Sequence, residues 1–302
     1  MCEPLGLFVK SIPLNSAKLA YLSALNSDDL IFVTEIWTNT DLSRRQEIIS
    51  QLVHLSEVDF SLDFSRIFVL TLSDPDETIR IKAIAGLDGE DNYLLIKPLV
   101  HALKEDASAK VRASAAMALG KFALQGELGN LPSYYCEKVF NSLSEVLDNK
   151  TELTEVKRRA LEAISPFSLP RVKELIKTAY HTDDIQLRAS AVYAMGRNCD
   201  LNWLPTVLTE LKSREAAIRY EAAGACGELG AEEAVPILVE MSENEDRQVQ
   251  EAAIKALGEI GNEQAKQTLN RLVKNTQPGI RDAAKAALKE IQYCEDSLSL
   301  QD

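Results

Sequence analysis

A short segment with helical periodicity recurs along this chain, and in the C-terminal half it returns every 31 residues. Each copy begins with an apolar residue, here called the anchor. The anchors are Ile79, Val111, Val156, Leu187, Ile218, Val249 and Ile280. A fixed period of this length is typical of stacked helical hairpins, because one hairpin can bury its apolar face only against its neighbours. The repeat therefore predicts an all-α fold, an α-solenoid (superhelix) of stacked antiparallel helical hairpins.

Three columns of small or apolar residues follow the anchors at spacings of 4, 7 and 8. The column at four residues contains only alanine: Ala83, Ala115, Ala160, Ala191, Ala222, Ala253 and Ala284. The column at seven contains only alanine or glycine, and the column at eight is apolar. These spacings mark one face of an α-helix. Because larger residues do not occur in two of the columns, we expect this face to approach another helix closely.

Proline and glycine positions predict where the helices of each hairpin begin and end. Pro98, Pro205 and Pro236 are expected in the first turn of the first helix, where a missing N–H does no harm. Glycines stand nine residues after four anchors, at Gly120, Gly196, Gly227 and Gly258. We interpret them as left-handed caps that end the second helix. Short polar residues five positions before the anchors predict the turn between the helices.

Taken together, these features resemble the HEAT repeat of the short type found in phycobilisome lyases. The resemblance is carried by Asp74-Pro75, by residues 111–120 and by residues 249–261, and it extends from about residue 74 to 291. It implies that the basic residue after each anchor, such as Arg80 or Arg112, pairs with acidic or carbonyl groups at the neighbouring turn. Acidic residues between 74 and 91 are expected to form a solvated rim. The resemblance does not define an activity, because the same repeat serves many tasks.

The breaks in the repeat define the domain organisation. Residues 1–63 keep helical periodicity but lose the alanine column, as expected for degenerate N-terminal repeats that cap an array. Residues 64–292 form the HEAT-like array, with an insertion near 122–135 that is either a functional loop or a tolerated lengthening. Residues 293–302 are expected to be an acidic C-terminal tail.

Composition narrows the classes of partner and the cellular compartment. The net charge is −13, so the average surface repels phosphate backbones and lipid headgroups, which disfavours nucleic acid and membranes. The five cysteines are widely spaced and lack a Cys-x-x-Cys pair. The N-terminus does not resemble a signal peptide. We therefore expect a cytoplasmic protein without disulfides.

Residues suited to catalysis or metal binding do not form a recognisable pattern. The three histidines, His54, His101 and His181, fall in unrelated columns, and no nucleophile elbow or phosphate-binding loop is present. Deoxyhypusine hydroxylase, a related repeat enzyme, builds a di-iron site from His-Glu dipeptides, and this chain contains none. We therefore predict a non-enzymatic protein with no catalytic residues, no metal site and no cofactor.

The positions two and six residues after each anchor are expected to face the inner, concave surface. In the middle of the array they are apolar and aromatic, which is typical of residues that anchor protein interfaces. The predicted partner-binding residues are Met117, Arg158, Tyr193, Trp203 and Tyr220. The alternative is that these side chains are buried between repeats.

The sequence favours a scaffold or adaptor that binds a protein or peptide on this surface. Two alternatives come from the resemblance. One is an accessory subunit related to bilin lyases, which would assist attachment or removal of a chromophore. The other is a DNA-binding protein or glycosylase with HEAT-like repeats, for which Trp37, Trp203 and Arg158-Arg159 are suitable residue types. The acidic charge disfavours this second alternative.

Overall fold

The computed structural model describes residues 4–299, which form helices joined by short turns and contain no strand. Five short 3-10 helices cover Pro4–Phe8, Ala20–Leu22, Tyr93–Leu95, Leu201–Trp203 and Glu232–Ala234. The α-helices are α1 (Ser16–Leu19), α2 (Ser27–Asn39), α3 (Leu42–Val58), α4 (Ser65–Thr71), α5 (Glu77–Gly86), α6 (Ile96–Glu105), α7 (Ala109–Glu127), α8 (Ser133–Asp148), α9 (Thr154–Ile164), α10 (Pro170–Tyr180), α11 (Ile185–Arg197), α12 (Leu204–Glu210), α13 (Ala216–Glu228), α14 (Val235–Met241), α15 (Arg247–Ile260), α16 (Glu263–Leu272) and α17 (Pro278–Ser299). The predicted all-α solenoid is confirmed.

The chain forms two compact units, residues 1–163 and 164–302. In the first unit α4 packs on α5 and α6 on α7, and the second helix α5 packs on both α3 and α7. In the second unit the hairpins are α10/α11, α12/α13, α14/α15 and α16/α17, and their second helices form a continuous row. Among the described residues, no helix is both long enough and apolar enough to cross a bilayer.

The alanine column forms the contact between second helices, as predicted. All seven alanines four residues after the anchors are completely buried. The residues at seven positions are also buried, and Ala225, Ala256 and Ala287 lie against the glycines of the preceding second helix. Small side chains therefore let neighbouring helix backbones approach closely.

The interpretation of the four repeated glycines as helix caps is wrong. Gly120, Gly196, Gly227 and Gly258 lie inside helices α7, α11, α13 and α15. A Cβ placed on Gly196 would stand 2.6 Å from Cα of Ala225, and one on Gly258 would stand 3.0 Å from Cα of Ala287. These glycines are needed for close helix packing. The glycines with positive φ are instead Gly129, Gly230 and Gly261, and the last of these caps α15.

The other local predictions about helix ends hold. Pro98, Pro205 and Pro236 lie in the first turns of α6, α12 and α14. The turns between helices are built by short polar side chains that accept backbone N–H groups two residues later, as Asp106 does from Ser108 and Asn244 from Asp246. Such Asx turns satisfy donors that the start of a helix leaves unpaired.

A ladder of arginine and carboxylate pairs links successive turns of the first unit. Arg80 makes a bidentate pair with Asp106 at 2.7 and 2.8 Å, and its third nitrogen donates to the Asp74 carbonyl. Arg112 forms the equivalent pair with Glu152. The predicted structural role of these arginines is therefore confirmed. In the second unit Arg219 donates to the carbonyls of Ser213 and Arg214 instead of to a carboxylate.

The structure gives the helices of the insertion, of the N-terminal region and of the C-terminal segment. The insertion near 122–135 lengthens α7 to 19 residues and α8 to 16, with a short link between them. Helices α1 to α3 occupy the degenerate N-terminal region. In place of a separate tail from residue 293, α17 continues to Ser299. Cys2 and the last three residues lie outside the described residues.

Overpacking of the alanine column is expected to destabilise the array. Ala222→Leu and Ala253→Leu should each lower the free energy of unfolding by ~1–3 kcal/mol, because both sites are fully buried between helices. Chemical denaturation followed by circular dichroism measures this loss. Ala286→Leu on the exposed side of α17 is the control. Unfolding curves of the buried-site variants that coincide with wild type would contradict the packing role.

Candidate functional site

The five predicted partner-binding residues lie in different environments. Met117 and Arg158 belong to the first unit, whereas Tyr193, Trp203 and Tyr220 belong to the second. Met117 is 55% exposed on α7, so its side chain is accessible to a partner. Arg158 forms an ion pair with Glu155 on its own helix at 2.9 Å. Neither residue lines the two grooves described below.

Trp203 needs a correction, because the structure places it in the core. Its side chain is only 5% exposed, and its indole Nε1 donates to Oδ1 of Asn198 at 3.1 Å. The Asn198 amide in turn donates to the carbonyls of Ser165 and Phe167. Trp203 thus satisfies a buried polar network and stabilises the end of a hairpin.

Tyr193 and Tyr220 are brought together by successive second helices. Tyr193 on α11 and Tyr220 on α13 line one groove of about 100 Å³, together with Gly224, Ala252 and Lys255. Tyr220 is 44% exposed and Tyr193 is half-buried. A Cβ added to Gly224 would meet nothing within 4 Å, so the floor between the helices is open. Two tyrosines beside an open floor offer a contact surface for a segment of a partner chain.

A second groove of about 400 Å³ continues along the same row of helices, between α15 and α17. Lys255 lines both grooves, which makes them neighbours on one surface. The floor of the second groove is formed by small residues, including Ala283 and Ala286. We call this surface, from Tyr193 to Glu290, the second-helix groove.

Carboxylates dominate the rim of the second-helix groove. Five glutamates and one lysine line it. The glutamates are Glu221, Glu228, Glu251, Glu259 and Glu290. Lys255 pairs with Glu259 at 3.2 Å, and this glutamate is the main cause that raises the pKa of the lysine. Burial raises the pKa of the Glu228 carboxyl. The Arg197 guanidinium, whose Nη1 lies 3.4 Å from Oε1 of Glu228, lowers this pKa, and the nearby Glu259 raises it.

Sequence reasoning missed three of these glutamates, although the repeat contained the signal. Glu228, Glu259 and Glu290 each stand ten residues after an anchor, at a constant step of 31. The Glu228 carboxylate lies over Gly196, and that of Glu259 lies over Gly227. The glycines that permit close helix packing therefore also leave room for this acidic row.

The structure adds little that favours catalysis. Within residues 4–299, no group of three or more His, Cys, Asp or Glu side chains is arranged to hold a metal ion. Cys226 is completely buried, and burial raises the pKa of its thiol to about 12. A thiol with a raised pKa is a poor nucleophile and packs as a small apolar residue.

Comparison with solved structures supports the fold. One neighbour is the complex of CpcE and CpcF of phycocyanin lyase from Nostoc sp. PCC7120, at 19% identity and a TM-score of 0.50, covering 76% of this chain and 94% of that one. Another is a structure of Kap95p binding to RanGDP, at 11% identity and a TM-score of 0.52, covering 95% of this chain and 46% of that one. At these identities the likeness concerns the fold alone. No curated protein matches the sequence.

Comparison with sequence families is more specific. The profile described as HEAT repeats matches residues 66–165, 96–196 and 204–289. The matches cover most of the chain and include the second helices that carry the groove. Together with the stacked hairpins and the buried alanine column, they show that this chain belongs to the HEAT repeat family.

Proposed function

We propose that this protein is a non-enzymatic scaffold or adaptor that binds a segment of a partner protein in the second-helix groove. The observation that carries the proposal is the joint position of Tyr193 and Tyr220 beside an open floor of alanine and glycine. Tyrosines supply a large contact area at small entropic cost, and they are enriched in protein interfaces.

The course of the groove across successive second helices suits a peptide. It runs across successive helices in two shallow parts of about 100 and 400 Å³. Because the floor residues are small, they leave space for a peptide main chain between the tyrosines and the glutamate rim. Met117 is an exposed apolar residue of the first unit and is a separate candidate contact point.

The alternatives remain distinguishable by experiment. A role related to bilin lyases predicts that a bilin changes its absorbance on titration with the protein. DNA binding predicts a gel shift at low salt, which the glutamate rim opposes because carboxylates repel phosphates. A pronounced response in either assay would favour that alternative over the scaffold.

The scaffold proposal predicts that the double variant Tyr193→Ala/Tyr220→Ala loses partners. Affinity purification from the native host followed by mass spectrometry should recover specific proteins with wild type, and roughly tenfold less of them with the double variant. Tyr134→Ala/Tyr293→Ala removes two exposed tyrosines elsewhere and is the matched control. Full recovery with a folded double variant of the groove would refute the proposal.

A further inference from the structure

We propose that the second-helix groove selects a basic, extended segment whose lysine or arginine side chains recur at every third residue. This inference rests on the function proposed above and adds the chemistry of the partner. It is carried by the charge of the rim, the shape of the floor and the spacing of the glutamates, which are taken in turn below.

The charge of the rim favours a cationic occupant. Three of the five glutamates already have basic neighbours: Arg197 pairs with Glu228, Arg247 with Glu251 and Lys255 with Glu259. The five lining glutamates outnumber Lys255, Arg197 and Arg247 together, so the groove keeps a net negative formal charge. Complementary charge steers association and rejects acidic partners. A second copy of this chain, with its net charge of −13, is therefore a poor occupant.

The floor of the groove favours an extended backbone. Between Tyr220 and Lys255 the floor is lined by Gly224, Ala225 and Ala252, and the open volume there is about 100 Å³. A helix with its side chains is about 10 Å or more in diameter and needs more volume than this part of the groove offers. A polyproline II chain, which is extended and has three residues per turn, can lie across the helices with every third side chain directed toward the rim.

The spacing of the glutamates sets the spacing of the cations. Glu228, Glu259 and Glu290 occupy equivalent positions on α13, α15 and α17, which pack as neighbours. Axes of packed helices lie roughly 8–10 Å apart. A polyproline II chain rises about 3.1 Å per residue, so every third side chain returns to the same face about 9 Å further on, which is about one helix away.

The two tyrosines extend the same recognition to the other end of the groove. Lys255 and Tyr220 line the same part of the groove, so a cation is already accommodated beside this tyrosine. Aromatic faces attract lysine and arginine cations. Tyr193 and Tyr220 can therefore hold the first basic side chain of the segment, and the glutamates can hold the following ones.

Fluorescence anisotropy with the full chain tests this inference. The probe is a short labelled peptide of repeating Lys-Pro-Pro units, which favours polyproline II, compared with one that has the same lysines in a single block and one with Glu in place of Lys. We expect the repeating peptide to bind most tightly, and its affinity to fall with salt. Glu228→Gln/Glu259→Gln/Glu290→Gln should weaken this binding roughly tenfold.

The control variant Glu174→Gln/Glu243→Gln/Glu263→Gln removes three exposed glutamates of the same unit outside the groove, and it should bind as wild type does. Thermal melts check that each variant is folded. Equal affinity for the peptide with its lysines in one block, or for the glutamate peptide, would overturn the inference. Equal losses of binding in both triple variants would overturn it too.

If the groove triple variant still recovers the host partners that Tyr193→Ala/Tyr220→Ala loses, the basic segment is wrong and the scaffold stands. If the tyrosine variant recovers them all, the scaffold itself fails.

Discussion

Replacing Asp74 by alanine is expected to lower the free energy of unfolding of the first unit by about 3–5 kcal/mol. The Asp74 side chain is completely buried, and its Oδ2 accepts hydrogen bonds from Trp37 Nε1 and from a guanidinium nitrogen of Arg45, both at 2.7 Å. Its Oδ1 accepts the backbone N–H of Asp76, which shapes the turn before α5. Alanine would leave the Arg45 charge and the Trp37 N–H without a partner in a buried site, and both losses are costly.

Urea denaturation of the Asp74→Ala variant measures this loss. The control is Glu243→Ala, which breaks an exposed pair with Arg271 and should change stability by less than about 1 kcal/mol. The double variant Asp74→Ala/Arg45→Met should recover part of the lost stability, because it removes the unpaired charge. A loss no larger than that of Glu243→Ala would show that the buried pair is not structural.

Gly196→Ala is expected to destabilise the second unit by ~1–3 kcal/mol, opposite to the usual effect of this substitution in a helix. Alanine normally stabilises a helix interior by about 1 kcal/mol relative to glycine. At Gly196, however, the new Cβ would stand 2.6 Å from Cα and 2.9 Å from Cβ of Ala225. Because the first contact is with backbone, α11 and α13 must move apart and lose buried contacts along their length.

Gly224→Ala is the matched control for this prediction. Gly224 also lies inside α13, but its added Cβ would meet nothing within 4 Å. We expect Gly224→Ala to stabilise the protein by up to about 1 kcal/mol. Thermal or urea unfolding of the two variants gives the comparison. The same direction of change in both would mean that close helix approach at Gly196 is not essential.

Much of the fold was predictable because the same helix contact recurs in successive repeats and leaves the same residue pattern each time. An alanine at Ala222 alone carries little information, but alanine at the same position in seven copies indicates a helix contact. The arginine ladder followed from the resemblance to HEAT repeats, and Arg80 and Arg112 form the expected pairs. Local turn chemistry was also readable, since a polar side chain such as Asp106 needs only its nearest neighbours to form an Asx turn.

The candidate site was predicted only in part. Helical spacing placed Tyr193 and Tyr220 on one predicted face, and the structure brings them to one groove. Their role in binding a partner stays a prediction. Trp203 was misplaced because its burial depends on the amide of Asn198 and on carbonyls of another hairpin, which spacing does not reveal. The acidic residues between 74 and 91 were expected to be solvated, yet Asp74 is buried by contacts with Trp37 and Arg45.

The sequence by itself determined the class of fold, the faces of the helices and the hairpin turns, because these depend on periodicity and on near neighbours. Tertiary structure alone decided the role of the repeated glycines, since a cap and a close contact both require a missing Cβ. The positions of Gly196 and Ala225 settle the choice for packing. Tertiary structure also decided which side chains of a predicted face reach solvent, because exposure depends on what the neighbouring helix leaves uncovered.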